Sequence, residues 1–214
     1  MNEQHLTKPH NKIINRLART HLKPLGLTQK GRSRMWMDDQ GWYLILYEFQ
    51  PSSYSKGTYI NLGICFNNYP NDFFSFDIGG RIAEFTPAKD LNNFENELTL
   101  QIQNSIQLIN KYQEFTFDKN LGELVKQSIN DQNKDTDWTN YHIGFAYLLQ
   151  GKSKFTEYLT KVVNSSDDRS WAIERANHTK ALMAINETDQ LAELINKCRE
   201  LRKLSTLSQS ELMK

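Results

Sequence analysis

The 214-residue chain reads as an α+β protein: an antiparallel meander of about four strands with packed helices, followed by a helical C-terminal module. Three observations predict it. Residues 42–50 (WYLILYEFQ) and 58–66 (TYINLGICF) are dense in aromatic, aliphatic and β-branched side chains, the composition of central strands. Short, turn-rich connectors (PSSYSKG, NNYPND) join neighbouring strand runs, and strands joined this way pair antiparallel. Beyond Pro87 the apolar period changes from 2 to about 3.6 and stays there.

The elements follow in order. Residues 9–23 place Ile13, Ile14, Leu17, His21 and Leu22 near one helix face, with Pro9 in the first turn and Pro24 and Gly26 ending the helix. Residues 33–37 form a short strand, with turn chemistry after it in Asp38-Asp39-Gln40-Gly41. The runs 42–50 and 58–66 come next, and 73–85 is a fourth, bulged or split at Gly79-Gly80. Residues 91–115 repeat apolar positions from Leu91 to Tyr112 at helical spacing, and further helices are expected near 120–130, 138–150, 153–163, 169–185 and 188–204. A domain boundary is expected at 116/117, giving a sheet domain over 1–116 and a helical module over 117–214, with the polar stretch SINDQNKDTD close behind it. In the module, Ile143-Gly144, Tyr147 and Gly151 match the first helix and turn of a tetratricopeptide repeat. Thr156 and Thr160 stand where that repeat places a small residue and an aromatic, so the expectation is a layer of helical hairpins similar to the repeat rather than an array of it.

A regular hairpin across 51–57 pairs Gln50 with Thr58 and Glu48 with Ile60. Alternation then puts Trp42, Leu44, Leu46 and Glu48 beside Ile60, Leu62 and Ile64 on a core face, covered by helices 9–23 and 91–115. The opposite face carries Tyr43, Tyr47 and Phe49 with Tyr59 and Asn61, and its aromatic content predicts that it too is covered.

Composition narrows the function classes. The 26 basic and 25 acidic residues nearly cancel, so no global field draws the protein to nucleic acid or membrane. Residues 1–36 hold eight cations from Lys8 to Arg34 against Glu3 alone, read as a solvated helix face ahead of a docking site for an acidic partner. Aromatic strands can stack on bases, but the flanking strand lacks the glycine-aromatic signature of an RNA-recognition motif, which argues against nucleic acid. Cys65 and Cys198 lack metal or disulfide spacing; Cys65 reads as a core residue. No signal stretch or membrane span is visible, and the expectation is a cytoplasmic, reduced protein.

No catalytic or metal motif occurs, and neither a cofactor nor catalytic residues are expected. His5 and His10 fall in a terminus expected to fray, while His21, His142 and His178 lie on helices. Ser-Lys-Gly-Thr at 55–58 feeds a strand rather than a helix N-terminus, so it is a turn and not a phosphate loop. Glu48 is the one carboxylate within a central strand. It reads as a sheet-end residue paired with Arg32, Arg34 or Lys56 before a general base raised by burial.

The stretches LKPLGLTQKGRSRMW, GWYLILYEFQPSSYSKGTYINLGICF and FSFDIGGRIAEF together resemble a group of bacterial proteins defined as a domain of unknown function, over about residues 13–112. The resemblance implies a shared fold and carries no activity. The leading functional expectation is a non-catalytic binding or protein-interaction module of immunity or regulatory type, with a protein partner and, as a side expectation, a homodimer. The rival is an enzyme or binder acting on a phosphorylated or nucleotide-like ligand at one end of the sheet, with Arg32, Arg34, Glu48, Gln50, Ser52, Ser53 and Lys56 around it.

Overall fold

The computed structural model describes residues 8–129, 135–185 and 187–212; His5 and residues 130–134, half of the SINDQNKDTD stretch, lie outside them. Five strands, β1 (Thr28–Gln29), β2 (Met35–Asp39), β3 (Tyr43–Gln50), β4 (Gly57–Phe66) and β5 (Ile78–Pro87), form one antiparallel sheet in chain order. The meander is as expected, with the two-residue β1 added at one edge. Its pairing sets Thr28 opposite Met37, and β2 then meets β3 with Met35 opposite Glu48 and Asp39 opposite Leu44.

The chain divides into two compact units. The first holds the described residues to Asp39, Leu44–Cys65 and Gly79–Gln113, which is most of the sheet with α1 (Pro9–His21) and α2 (Leu91–Gln113). The α1 helix starts at Pro9, whose fixed φ suits the first turn, and gives way at Lys23–Leu25 to a 3₁₀ turn closed by Gly26 at φ 89°. His10 does not fray: it is 6% exposed within α1 and sets its ring edge-on to Phe94.

The face that α1 and α2 cover is the reverse of the expected one. On α2, Ser105 Oγ donates to Tyr47 Oη at 3.2 Å, and Gln113 Nε2 donates to Asp38 Oδ2 at 2.7 Å, with Asp38 opposite Ile45. The helices therefore lie on Ile45, Tyr47 and Phe49. The hairpin register explains the reversal. Asn61 Nδ2 donates to both Glu48 Oε2 (2.9 Å) and Gln50 Oε1 (3.0 Å), so Asn61, not Ile60, shares the face of Glu48. The Asn67 amide donates to the Trp42 carbonyl at 2.9 Å, in the same register. A one-residue slip moves every side chain of a strand to the other face. Ile60, Leu62 and Ile64, all 0% exposed, join Ile45, Tyr47 and Phe49 in the core. The slip arises because the start of β4 is committed to β5: the Ala88 amide bonds the Lys56 carbonyl, while Thr58 fills the Gln50 carbonyl with its hydroxyl. The expectation that the Tyr43, Tyr47 and Phe49 face is covered holds, since all three are essentially unexposed.

The second unit comprises Gln40–Tyr43, Phe66–Ile78 and the described residues from Glu114 onward. It contains α3 (Leu121–Ser128), α4 (Asp137–Leu149), α5 (Phe155–Val163), α6 (Ser170–Met183), α7 (Thr188–Leu201) and the short α8 (Gln209–Leu212). The α4 helix is buried on nearly every side, as a helix apolar all round must be, and is capped by the Thr136 hydroxyl accepting from the Thr139 amide. Consecutive helices pack closely: a Cβ at Gly144 would meet Leu159 of α5 at 2.5 Å.

Gly57 is the tightest point of the hairpin. Its φ is +147°, and a Cβ there would stand 2.2 Å from the Thr86 carbonyl oxygen, which is backbone and cannot yield. Gly57→Ala is expected to cost about 2–4 kcal/mol in urea unfolding. Gly31→Ala, at φ +57° with open space around it, should cost about 1 kcal/mol.

Candidate functional site

Two concavities among the described residues, one in each unit, bring polar, charged and aromatic side chains together. The sequence-derived site residues divide among three places. Arg34, Ser52, Ser53 and Lys56 line one cleft of about 270 Å³, with Lys8, His10, Ser55 and Gly57. Glu48 and Gln50 lie on the opposite face of the sheet, in a polar patch where Arg81 Nη2 donates to Gln50 Oε1 at 3.1 Å and the Arg81 guanidinium sits 3.8 Å over the Tyr59 ring. Glu48 is held by Asn61; Arg34, opposite Phe49, points to the α1 side and donates to Asn11 Oδ1. Arg32 is exposed and lines neither place. The pairing of Glu48 with Arg34 is thus excluded by which face each occupies.

A second concavity, of about 380 Å³, lies in the helical unit, among residues to which the sequence assigns no site. The segment 66–77 supplies one wall with Phe66, Asn68, Tyr69, Asn71, Phe73 and Asp77; the start of α4 supplies Trp138 and His142; Arg202, just past α7, closes it. Phe73 and Trp138 remain 59% and 37% exposed. Tyr69 meets Trp138 edge-on at 5.0 Å, Trp138 stacks on His142 at 5.7 Å, and the Arg175 guanidinium lies 5.0 Å over Trp138.

Beneath these rings the polar groups interlock. Asp77, for which the sequence suggests no partner, accepts from the Phe66 amide (2.7 Å) and the Ser75 hydroxyl (2.7 Å). His142 Nδ1 meets Asn68 Nδ2 at 3.1 Å, and its Nε2 stands 3.9 Å from Asp77 Oδ1. With the amide donating to Nδ1, the ring proton sits on Nε2. Burial holds the His142 pKa below its ordinary value against the raising effect of Asp77, so the ring is neutral at pH 7. The Tyr141 hydroxyl donates to the Asn68 carbonyl at 2.5 Å, and His178, also depressed by burial, meets that hydroxyl at 3.0 Å. One acceptor is left over: Asn68 Oδ1 is buried and has no hydrogen-bond partner.

Arg202, 3% exposed, fixes the wall. Its Nη1 donates to the Phe66 carbonyl (2.7 Å) and Asn67 Oδ1 (2.8 Å), and its Nη2 to Asn71 Oδ1 (2.7 Å).

Chemically, Ser75 already gives its proton to Asp77, and the imidazole nitrogen that could act as a base is engaged by Asn68. A serine nucleophile needs a base oriented on its own hydroxyl; the arrangement instead presents a fixed carboxylate and amide under aromatic walls, suited to holding a group with N–H donors. Among the described residues no three His, Cys, Asp or Glu side chains are grouped to hold a metal, and no helix is long and apolar enough to cross a membrane.

A signal for this cavity exists in the sequence. The loop NNYPNDFFSFD carries four aromatic residues, more than a turn requires. No protein-family profile, curated protein or solved structure matches the chain.

The depressed histidines make stability depend on pH. A His whose folded pKa lies below the unfolded value, near 6.5, contributes stability that is complete above 6.5 and is lost as pH falls through 6.5 toward the folded value. The melting temperature is therefore expected to be lower at pH 5.5 than at pH 7.5, by about 2–4 °C for each kcal/mol lost. His142→Gln should flatten the difference. Arg202→Met strands three acceptors and is expected to cost about 2–4 kcal/mol by chemical denaturation. Arg202→Lys should recover only part of that, because a point charge cannot serve a forked set of acceptors.

Proposed function

We propose that the protein is a non-catalytic binding protein that holds a protein partner through the aromatic cavity of its helical unit. The observation that carries this reading is the exposure of Phe73 and Trp138 at the mouth of a cavity whose floor is a polar network with one buried acceptor, Asn68 Oδ1, left without a hydrogen-bond partner. Large aromatics left half in water have the composition of binding hot spots, where Trp, Tyr and Arg dominate. The partner places an anchor side chain with N–H donors, arginine or tryptophan, between these rings. Its donors meet the Asp77 carboxylate and the leftover Asn68 Oδ1. Arginine adds a cation–π contact with Trp138. A cytoplasmic setting agrees with two buried cysteines, Cys65 and Cys198, that are not joined in a disulfide.

The test is cross-linking and mass spectrometry in the native host with wild type, Trp138→Ala and Phe73→Ser, followed by calorimetric titration of the recovered partner. Trp138→Ala should weaken that purified complex by about tenfold or more, and Leu100→Ser, at an exposed site on α2, should leave it unchanged. Equal affinity in wild type and Trp138→Ala would refute the reading.

A further inference from the structure

The smaller cleft belongs to the sheet unit and is independent of the partner reading. Lys8, Arg34 and Lys56 bring three cations to it, Ser52, Ser53 and Ser55 bring hydroxyl donors, and among the described residues no Asp or Glu lines it. Such a lining is rich in donors.

Arg34 sharpens the point. One nitrogen, Nη2, donates to Asn11 Oδ1, whereas Nη1 is buried with no hydrogen-bond partner. Its pKa is lowered by burial, the mark of a cation that has lost water without gaining an anion. A desolvated guanidinium is costly unless paired, and its fork of N–H groups matches the oxygens of carboxylates and phosphates. The chain entering α1 passes through the same cleft at Lys8 and His10, so the positive end of a 13-residue helix adds to the field. The Ser52 hydroxyl already accepts from the Tyr54 amide at 3.1 Å, which leaves its proton to be donated.

The structure assigns this cleft as a binding site for a phosphate group, for which we propose a small phosphate monoester or free phosphate as the ligand. A tetrahedral dianion offers acceptors on several sides, whereas a carboxylate would occupy only one edge of the donor set. A volume of about 270 Å³ is ample for a phosphate with a small ester group. Tyr54, 99% exposed beside the serines, leaves the mouth open for the rest of an ester.

The probes are inorganic phosphate and glycerol 3-phosphate, titrated into the full chain by calorimetry and by amide NMR in 150 mM chloride. One-to-one saturation with a dissociation constant of about 1 mM or tighter is expected, with shifts at residues 52–57. A tighter constant for the ester names a phosphorylated metabolite as the ligand; equal constants name free phosphate; either supports the site. Arg34→Gln should weaken binding by about tenfold or more, and Lys56→Gln by about three- to tenfold. Arg32→Gln, outside the cleft, should change it less than twofold. Circular dichroism checks that Arg34→Gln is folded; if it is not, Lys56→Gln decides, its side chain being exposed. Failure to saturate at concentrations on the order of 20 mM, or binding indifferent to Lys56→Gln, would overturn the assignment.

Discussion

The helical unit depends on two guanidinium groups taken out of water. Arg199 and Arg202 are 1% and 3% exposed. A buried cation is tolerated only where its donors are used, and here the acceptors are loop carbonyls and amides: Gly41 and Ser205 for Arg199, Phe66, Asn67 and Asn71 for Arg202. Residues 40–42 and 67–71 lie outside helix and strand, where side chains can serve the backbone oxygens. The arginines do so, and the Asn67 side chain adds a bond to the Gly41 carbonyl. The cavity wall is thus a loop made rigid by charge-assisted hydrogen bonds, which lets Asp77, Asn68 and His142 keep fixed positions.

In the sheet unit the corresponding constraint is the commitment of Lys56 and Gly57 to β5. Element types were legible from the sequence because each is written locally: alternation and β-branching for the strands, a 3.6 period for α2 through α7, Pro9 and Gly26 for the ends of the first helix and its 3₁₀ turn. Register was not. It depends on which neighbour claims the backbone groups between Gln50 and Tyr59, and both β3 and β5 border that stretch. With the pairing displaced by one residue, the side chains Ile60, Leu62 and Ile64 change face, and with them the identity of the covered surface. Both faces of β3 and β4 are apolar near their middle, so hydrophobic pattern alone could not choose between the two registers.

The candidate sites show the same division. Arg34, Ser52, Ser53 and Lys56 meet because a hairpin loop and the end of a neighbouring strand are close in any register. Glu48 and Gln50 were placed beside them by chain proximity, yet alternation sends their side chains through the sheet to Asn61 and Arg81. The aromatic cavity was out of reach for a different reason. Its walls come from residues 66–77, 136–142 and 202, joined by long-range packing that no local period encodes.

Four buried or half-buried arginines allow an internal comparison. In Arg199 and Arg202 the guanidinium donates to carbonyl and amide oxygens. Arg175 leaves Nε without a hydrogen-bond partner, but it donates to Asp137 and lies 5.0 Å from the faces of both Trp138 and Trp171, so its charge is compensated. Arg34 has an amide oxygen on one nitrogen, nothing on the buried other, and two lysines rather than a carboxylate along its cleft. Desolvation costs each of them alike in kind. Where the protein itself offsets that cost the residue is structural, and where it leaves the cost standing an anion from outside has the most to gain. By that criterion Arg34 is the one arginine of the four whose surroundings are completed by a ligand.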